Sequence, residues 1–162
     1  MIAAGAWITV PAAIPFTMQT FCIFLTLYIL GGANGTKAIL LYLLLGAIGL
    51  PVFSGFKAGL SILAGPTGGY LIGFIFIGLS YRLGERFFSS HGKFLFLILG
   101  LCICYAFGTG WFVYISNSGS SSVSILQALS LCVLPYIIPD LIKLLLASKL
   151  SAKLAPKLNN LF

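Results

Sequence analysis

Acidic residues are almost missing. Glu85 and Asp140 are the only carboxylates among 162 residues, and charged residues of both signs make up 7% of the chain. A soluble domain carries about 25% charge, so this chain cannot clothe a water-exposed surface. Histidine occurs once, at His91, and Cys22, Cys102, Cys104 and Cys132 stand inside apolar runs with no CxxC pair. A zinc centre or a histidine-based triad therefore lacks its parts, and neither a metal nor a cofactor is expected. Two acids, one histidine and no nucleophile beside a base leave little catalytic chemistry, so the chain does not read as an enzyme. No GxxxxGK-S/T motif occurs; GGANGTK at 31–37 has its glycines and lysine at other spacings. If this protein moves anything uphill, another chain hydrolyses the ATP.

What stands in place of charge is apolar sequence: 60% of residues are hydrophobic and the mean hydropathy is +1.13. Runs with few or no charges cover 1–10, 16–30, 38–50, 66–81, 94–114 and 123–147. A transmembrane helix takes roughly 20 apolar residues, so six use about 120 and leave only short loops. The runs are continuous and Leu-rich, without the alternation of a membrane barrel. The expectation is an all-α integral membrane protein, a six-transmembrane-helix bundle forming one domain over 1–162. The second and third runs count as spans only through their apolar flanks. The first is short: either Pro11 kinks a span that continues toward Phe16, or the chain starts inside a longer helix. No charged stretch precedes it, which argues against a cleavable signal peptide.

Basic residues orient the bundle. Alternating loops place Lys37, Arg82, Arg86, Lys93, Lys149, Lys153 and Lys157 on one side, against Lys57 on the other, with Lys143 inside the last run. Both termini are therefore expected to be cytoplasmic in a multi-pass protein of the cell membrane. The Lys57 loop and the 116–122 loop then face out.

One stretch asks for an explanation. PYIIPDLIK at 135–143 puts Asp140 and Lys143 inside the last apolar run. Each ionisable group at membrane depth costs about 2.5–3.5 kcal/mol on insertion scales. Their i, i+3 spacing shares one helical face, and Pro135 and Pro139 kink or restart the helix upstream. A restarted helix aims free N–H groups into the bundle, which suits an anionic ligand. A structural ion pair or a snorkelling lysine is the plainer reading; a ligand site facing a water-filled cavity is the preferred one.

Other features carry weaker signals. GPTGGY at 65–70 combines a helix-starting Pro66 with glycines, Thr67 and Tyr70, while Gly69 and Gly73 form a GxxxG pair for close packing. Gly100, Cys104 and Gly108 make a small-residue stripe, and Trp111 sits either in the interfacial aromatic belt or as a wall against a bound ring. Lys149, Lys153 and Lys157 form a basic face for anionic headgroups or a docking partner. Arg82 and Glu85 read as a surface pair of little weight.

Four stretches together resemble the BioY family, the biotin-specific S components of energy-coupling-factor (ECF) transporters. They are PFTMQTF at 15–21, LYLLLGAIGLPVF at 41–53, GPTGGY at 65–70 with Gly73, and PYIIPDLIK at 135–143. The resemblance implies a six-helix S-component fold that captures biotin from outside. It also implies a transmembrane coupling subunit and two ATP-binding cassette subunits as partners in the lipid bilayer, with no nucleic acid. Lys143 would take the negative end of biotin, with Asp140 accepting an N–H or orienting Lys143. Thr67, Gly68, Gly69 and Tyr70 would give polar contacts and close backbone approach, while Phe53 and Trp111 cover the apolar portion. Lys57 is an alternative carboxylate partner. Asp140 follows Pro139 directly where family members usually carry a glycine between them, and only Ala3, Ala4, Gly5 and Ala6 remain of the family's first-helix docking motif. A self-sufficient oligomeric carrier and a structural subunit without ligand are the competing readings.

Overall fold

The computed structural model describes residues 1–10, 15–88, 90–118 and 123–159, and the side chains of all of these except 90, 91 and 155–159. The Pro11 kink, the side chains of His91 and Lys157, and residues 119–122 of the expected 116–122 loop lie outside them. Among the described residues the chain forms α1 (Ile2–Trp7), β1 (Thr9–Val10), β2 (Phe16–Thr17), α2 (Gln19–Ala47), α3 (Leu60–Ala64), α4 (Gly68–Phe87), α5 (Ser90–Asn117), α6 (Ile125–Cys132) and α7 (Leu134–Asn159). A 3-10 turn covers Ser54–Phe56.

The helix α2 is folded back on itself. The Gln19 amide donates to the Tyr42 hydroxyl at 2.9 Å, although those residues would lie roughly 34 Å apart along a straight helix. The fold is at Gly31, whose φ of +75° and ψ of 169° suit only glycine. Helix resumes at once. The Gly32 N–H donates to Glu85 Oε2 at 2.5 Å, which satisfies an orphan donor and places a negative charge at the positive helix end. The two arms match the second and third apolar runs.

Two expectations change here. GANGTK is not a loop but the first turns of the second arm, because its small residues let helices touch. A Cβ on Gly32 would stand 2.5 Å from the Arg82 backbone, and one on Gly35 would stand 2.7 Å from Leu27. Glu85 also is not a surface partner of Arg82; among the described residues it is the cap of that arm, and the only ion pair is Lys143 with Asp140.

Glycines likewise join α4 and α5 as an antiparallel pair. Gly69 faces Trp111, Gly73 faces Cys104, Gly84 faces Phe96, and from the other helix Gly100 faces Ile77 and Ser80 while Gly108 faces Tyr70. The GxxxG pair and the small-residue stripe thus pack against each other, leaving no room for a Cβ at most of these positions. The last apolar run is two helices, α6 and α7, bent by 40°. The break falls at Val133, so Pro135 sits in the first turn of α7, where its missing N–H costs nothing. A Ser124–Gln127 capping box starts α6.

One element was not expected at all. Thr9 pairs with Thr17 and Val10 with Phe16 in a two-residue antiparallel ladder, too short for any sequence periodicity to reveal. It presents Phe16 and the Thr17 carbonyl to Lys143 of α7. Outside, large apolar side chains such as Leu41, Leu44, Leu95, Leu99, Leu126 and Ile138 are exposed, which is the surface of a bundle solvated by lipid. Residues 92–117 are long and apolar enough to cross a membrane, α6 with α7 qualifies as a broken span, and α2 reaches that length only with its two arms taken together.

Candidate functional site

A cavity of about 240 Å³ opens among the N-terminal ladder, the loop after α2, and α4, α5 and α7. This volume lies just below the usual range of small-molecule sites. Of the residues expected to form a site, Asp140, Lys143, Tyr70, Thr67, Phe53 and Lys57 line it. Six residues drawn from positions 53 to 143 are thereby brought around one space.

At the deep end, Asp140 and Lys143 are 4% and 5% exposed and 2.8 Å apart. Lys143 Nζ also donates to the Thr17 carbonyl at 2.6 Å and the Thr20 hydroxyl at 3.2 Å. Its three protons are therefore committed, and the Phe16 ring lies 4.2 Å from the charge. Asp140 Oδ1 accepts from Thr20 at 2.9 Å, and Oδ2 accepts from the Tyr105 hydroxyl at 2.7 Å. Such a network neutralises and hydrogen-bonds both charges, which makes their burial tolerable. Oδ2 retains capacity for a further donor.

Apolar surface lines the middle of the cavity through Phe53, Leu71, Phe74 and Leu101. Phe53 is 1% exposed and meets Tyr42 edge to face at 5.6 Å, so it is both wall and core. The Tyr70 hydroxyl is shared with Thr109 at 3.0 Å. Thr67 begins α4 without capping it through its side chain. Lys57 is exposed on the loop after α2, and among the described residues its side chain makes no hydrogen bond or ion pair.

Gly68, Gly69 and Trp111 are not in the lining. Gly68 packs on the Leu63 carbonyl and Gly69 lies beneath Trp111. The Trp111 indole donates to the Gly65 carbonyl at 3.0 Å. These three brace the start of α4 from behind, because α5 approaches so closely that no ligand fits between. Sequence reasoning also missed the groups that satisfy the ion pair: Thr20, Tyr105, the Thr17 carbonyl and the Phe16 ring. The one signal available was the demand itself, since a buried Asp–Lys pair needs more partners than each other.

The sequence profile of the BioY family matches residues 1–160. A Thermotoga maritima protein named "Biotin transporter BioY" is 42% identical over 161 residues, covering 95% of this chain and 89% of its own. A Pyrococcus horikoshii protein named "Probable biotin transporter BioY" is 35% identical over 144 residues, covering 88% and 82%. In three dimensions the chain is similar to a crystal structure described as the S-component for biotin from an ECF-type ABC transporter. The TM-score is 0.79 with 26% identity, over 94% of this chain and 84% of that one. With agreement over nearly its whole length in both sequence and fold, the chain belongs to the BioY family.

Proposed function

We propose that this protein is the biotin-binding subunit of an uptake system. The observation that carries the reading is a small cavity with three kinds of wall: a satisfied Asp140–Lys143 network deep inside, apolar surface in the middle, and the uncommitted Lys57 on the outer loop. Biotin offers a ureido ring with N–H donors, an apolar chain and a carboxylate, which is the matching order of groups. Because the Lys143 protons are all taken, the carboxylate goes to Lys57 and the ring to the Asp140 end, the reverse of what the charge at depth suggests. Phe53 covers the apolar portion and Thr67 and Tyr70 complete the polar contacts.

The chain is a multi-pass protein of the cell membrane with six membrane segments: α1, the two arms of α2, α4, α5, and α6 with α7 as one. The Glu85–Gly32 contact supports this arrangement, since it puts the Gly31 turn and the Arg82 end of α4 at one end of the bundle. By the alternation of apolar runs in the sequence, seven of the nine basic residues fall on that side, which argues for cytoplasmic termini. Its sequence carries no GxxxxGK-S/T motif, and the subunit works with a transmembrane coupling subunit and two ATP-binding cassette subunits of the ECF type.

Calorimetry of the full chain in nanodiscs, prepared free of ligand, tests the reading. Tight one-to-one biotin binding is expected. A folded sample that binds no biotin refutes it.

A further inference from the structure

Within the cavity one polar group stands apart from the Asp140–Lys143 network. Gln19 is the first residue of α2 and lines the cavity at 3% exposure. Its amide donates to the Tyr42 hydroxyl at 2.9 Å, and Tyr42 gives its single proton to the Val52 carbonyl at 3.2 Å. That direction fixes the amide. A flipped Gln19 would set its oxygen against a phenol oxygen with no proton to offer.

Gln19 Oε1 therefore faces away from Tyr42, and no described group donates to it. Among the described side-chain oxygens and nitrogens, only the Tyr28 hydroxyl is both sealed off and unpaired. Oε1 is thus unpaired but open, and the open space beside Gln19 is the cavity. A nearly buried carbonyl held toward a binding site without a partner is a demand for a donor. The adjacent residues carry Lys143: the Thr17 carbonyl and the Thr20 hydroxyl both accept from it. Gln19 thereby shares a single turn of chain with the deep polar end.

We infer that Gln19, oriented by Tyr42 and Val52, is a specificity-determining residue that accepts an N–H from the ring of the ligand. The inference rests on the biotin reading and adds a requirement to it: the site selects a ring nitrogen that carries a proton. A site built to accept such a proton rejects an isostere lacking it, because the acceptor is then left unpaired.

The test uses the full chain in nanodiscs with three compounds: biotin and the two cyclic carbamates in which one or the other ureido N–H is replaced by oxygen. Wild type is expected to bind one carbamate about tenfold more weakly than biotin, the scale of one buried hydrogen bond. Gln19→Met, close in volume and without an acceptor, should bind biotin about tenfold more weakly than wild type. It should no longer separate biotin from that carbamate. Tyr42→Phe lies outside the cavity lining and decides the matter if Gln19→Met does not fold. It frees the amide and should shrink the same discrimination. Undiminished discrimination in either folded variant overturns the inference alone. A wild type that binds none of the three compounds overturns the biotin reading, and this inference with it.

Discussion

Removing one partner of the buried ion pair should do far more damage than removing both. In Lys143→Met, Asp140 keeps its Thr20 and Tyr105 donors but loses the only positive charge beside it. An uncompensated buried charge costs about 3–5 kcal/mol, a large part of the 5–15 kcal/mol typical of a folded protein. Asp140→Asn with Lys143 intact leaves a lysine at depth with neutral acceptors only, at similar cost. The double variant Asp140→Asn/Lys143→Met buries no charge, and its stability should return to within about 2 kcal/mol of wild type. Reversible unfolding of the purified chain in a fixed detergent, followed by tryptophan fluorescence, measures all four proteins. Because each single variant loses about 3–5 kcal/mol and the double variant at most about 2, the coupling energy from the cycle is expected to be about 4 kcal/mol or more. Biotin binding should remain impaired in the double variant, because a neutral amide at 140 is a weaker acceptor for the ring N–H than the Asp140 carboxylate. Two additive single effects below about 1 kcal/mol would show that the pair is hydrated and that the energetic argument is wrong.

Four further outcomes concern other parts of the fold. Lys57→Met should weaken biotin three- to tenfold, roughly the worth of an exposed charge contact, and leave binding of the neutral biotin amide unchanged; equal loss for both compounds in calorimetry would remove Lys57 from the carboxylate role. Gly31→Ala forces a side chain to a φ of +75° and should cost about 1–2 kcal/mol, while Glu85→Gln keeps an acceptor for Gly32 and should cost only about 0.3–1 kcal/mol; thermal melts that reverse this order would count against the hairpin. Gly73→Leu should prevent close approach of α4 to Cys104 and abolish the folded state. A Cβ on Gly110, by contrast, would meet nothing within 4 Å, so Gly110→Ala should gain about 0.5–1 kcal/mol in the same melts.

The membrane character, the helical class and the family were legible in the sequence, because each rests on local composition or on short runs of residues. Two carboxylates in 162 residues exclude a water-solvated surface wherever the chain folds. The importance of 135–143 was legible for the same reason: charge in an apolar run is costly in any arrangement of the helices. The small-residue pairs on α4 and α5 announced close packing through their spacing alone.

What only the tertiary structure decided is which groups meet. Thr20 reaches Asp140 across 120 positions of sequence and Tyr105 reaches it across 35, and neither stretch carries a mark of its partner. Lys143 reads as an available ligand cation because a sequence shows a charge but not how many acceptors surround it. Trp111 reads as a cavity wall because an aromatic near an interface has no visible direction until α5 is docked on α4. Gly31 is one glycine among 19, and its left-handed turn is set by where Glu85 and Arg82 of α4 come to lie. Composition limits the solvent a chain can fold in; the pairing of buried polar groups depends on long-range geometry, and it is that pairing which assigns each residue its task.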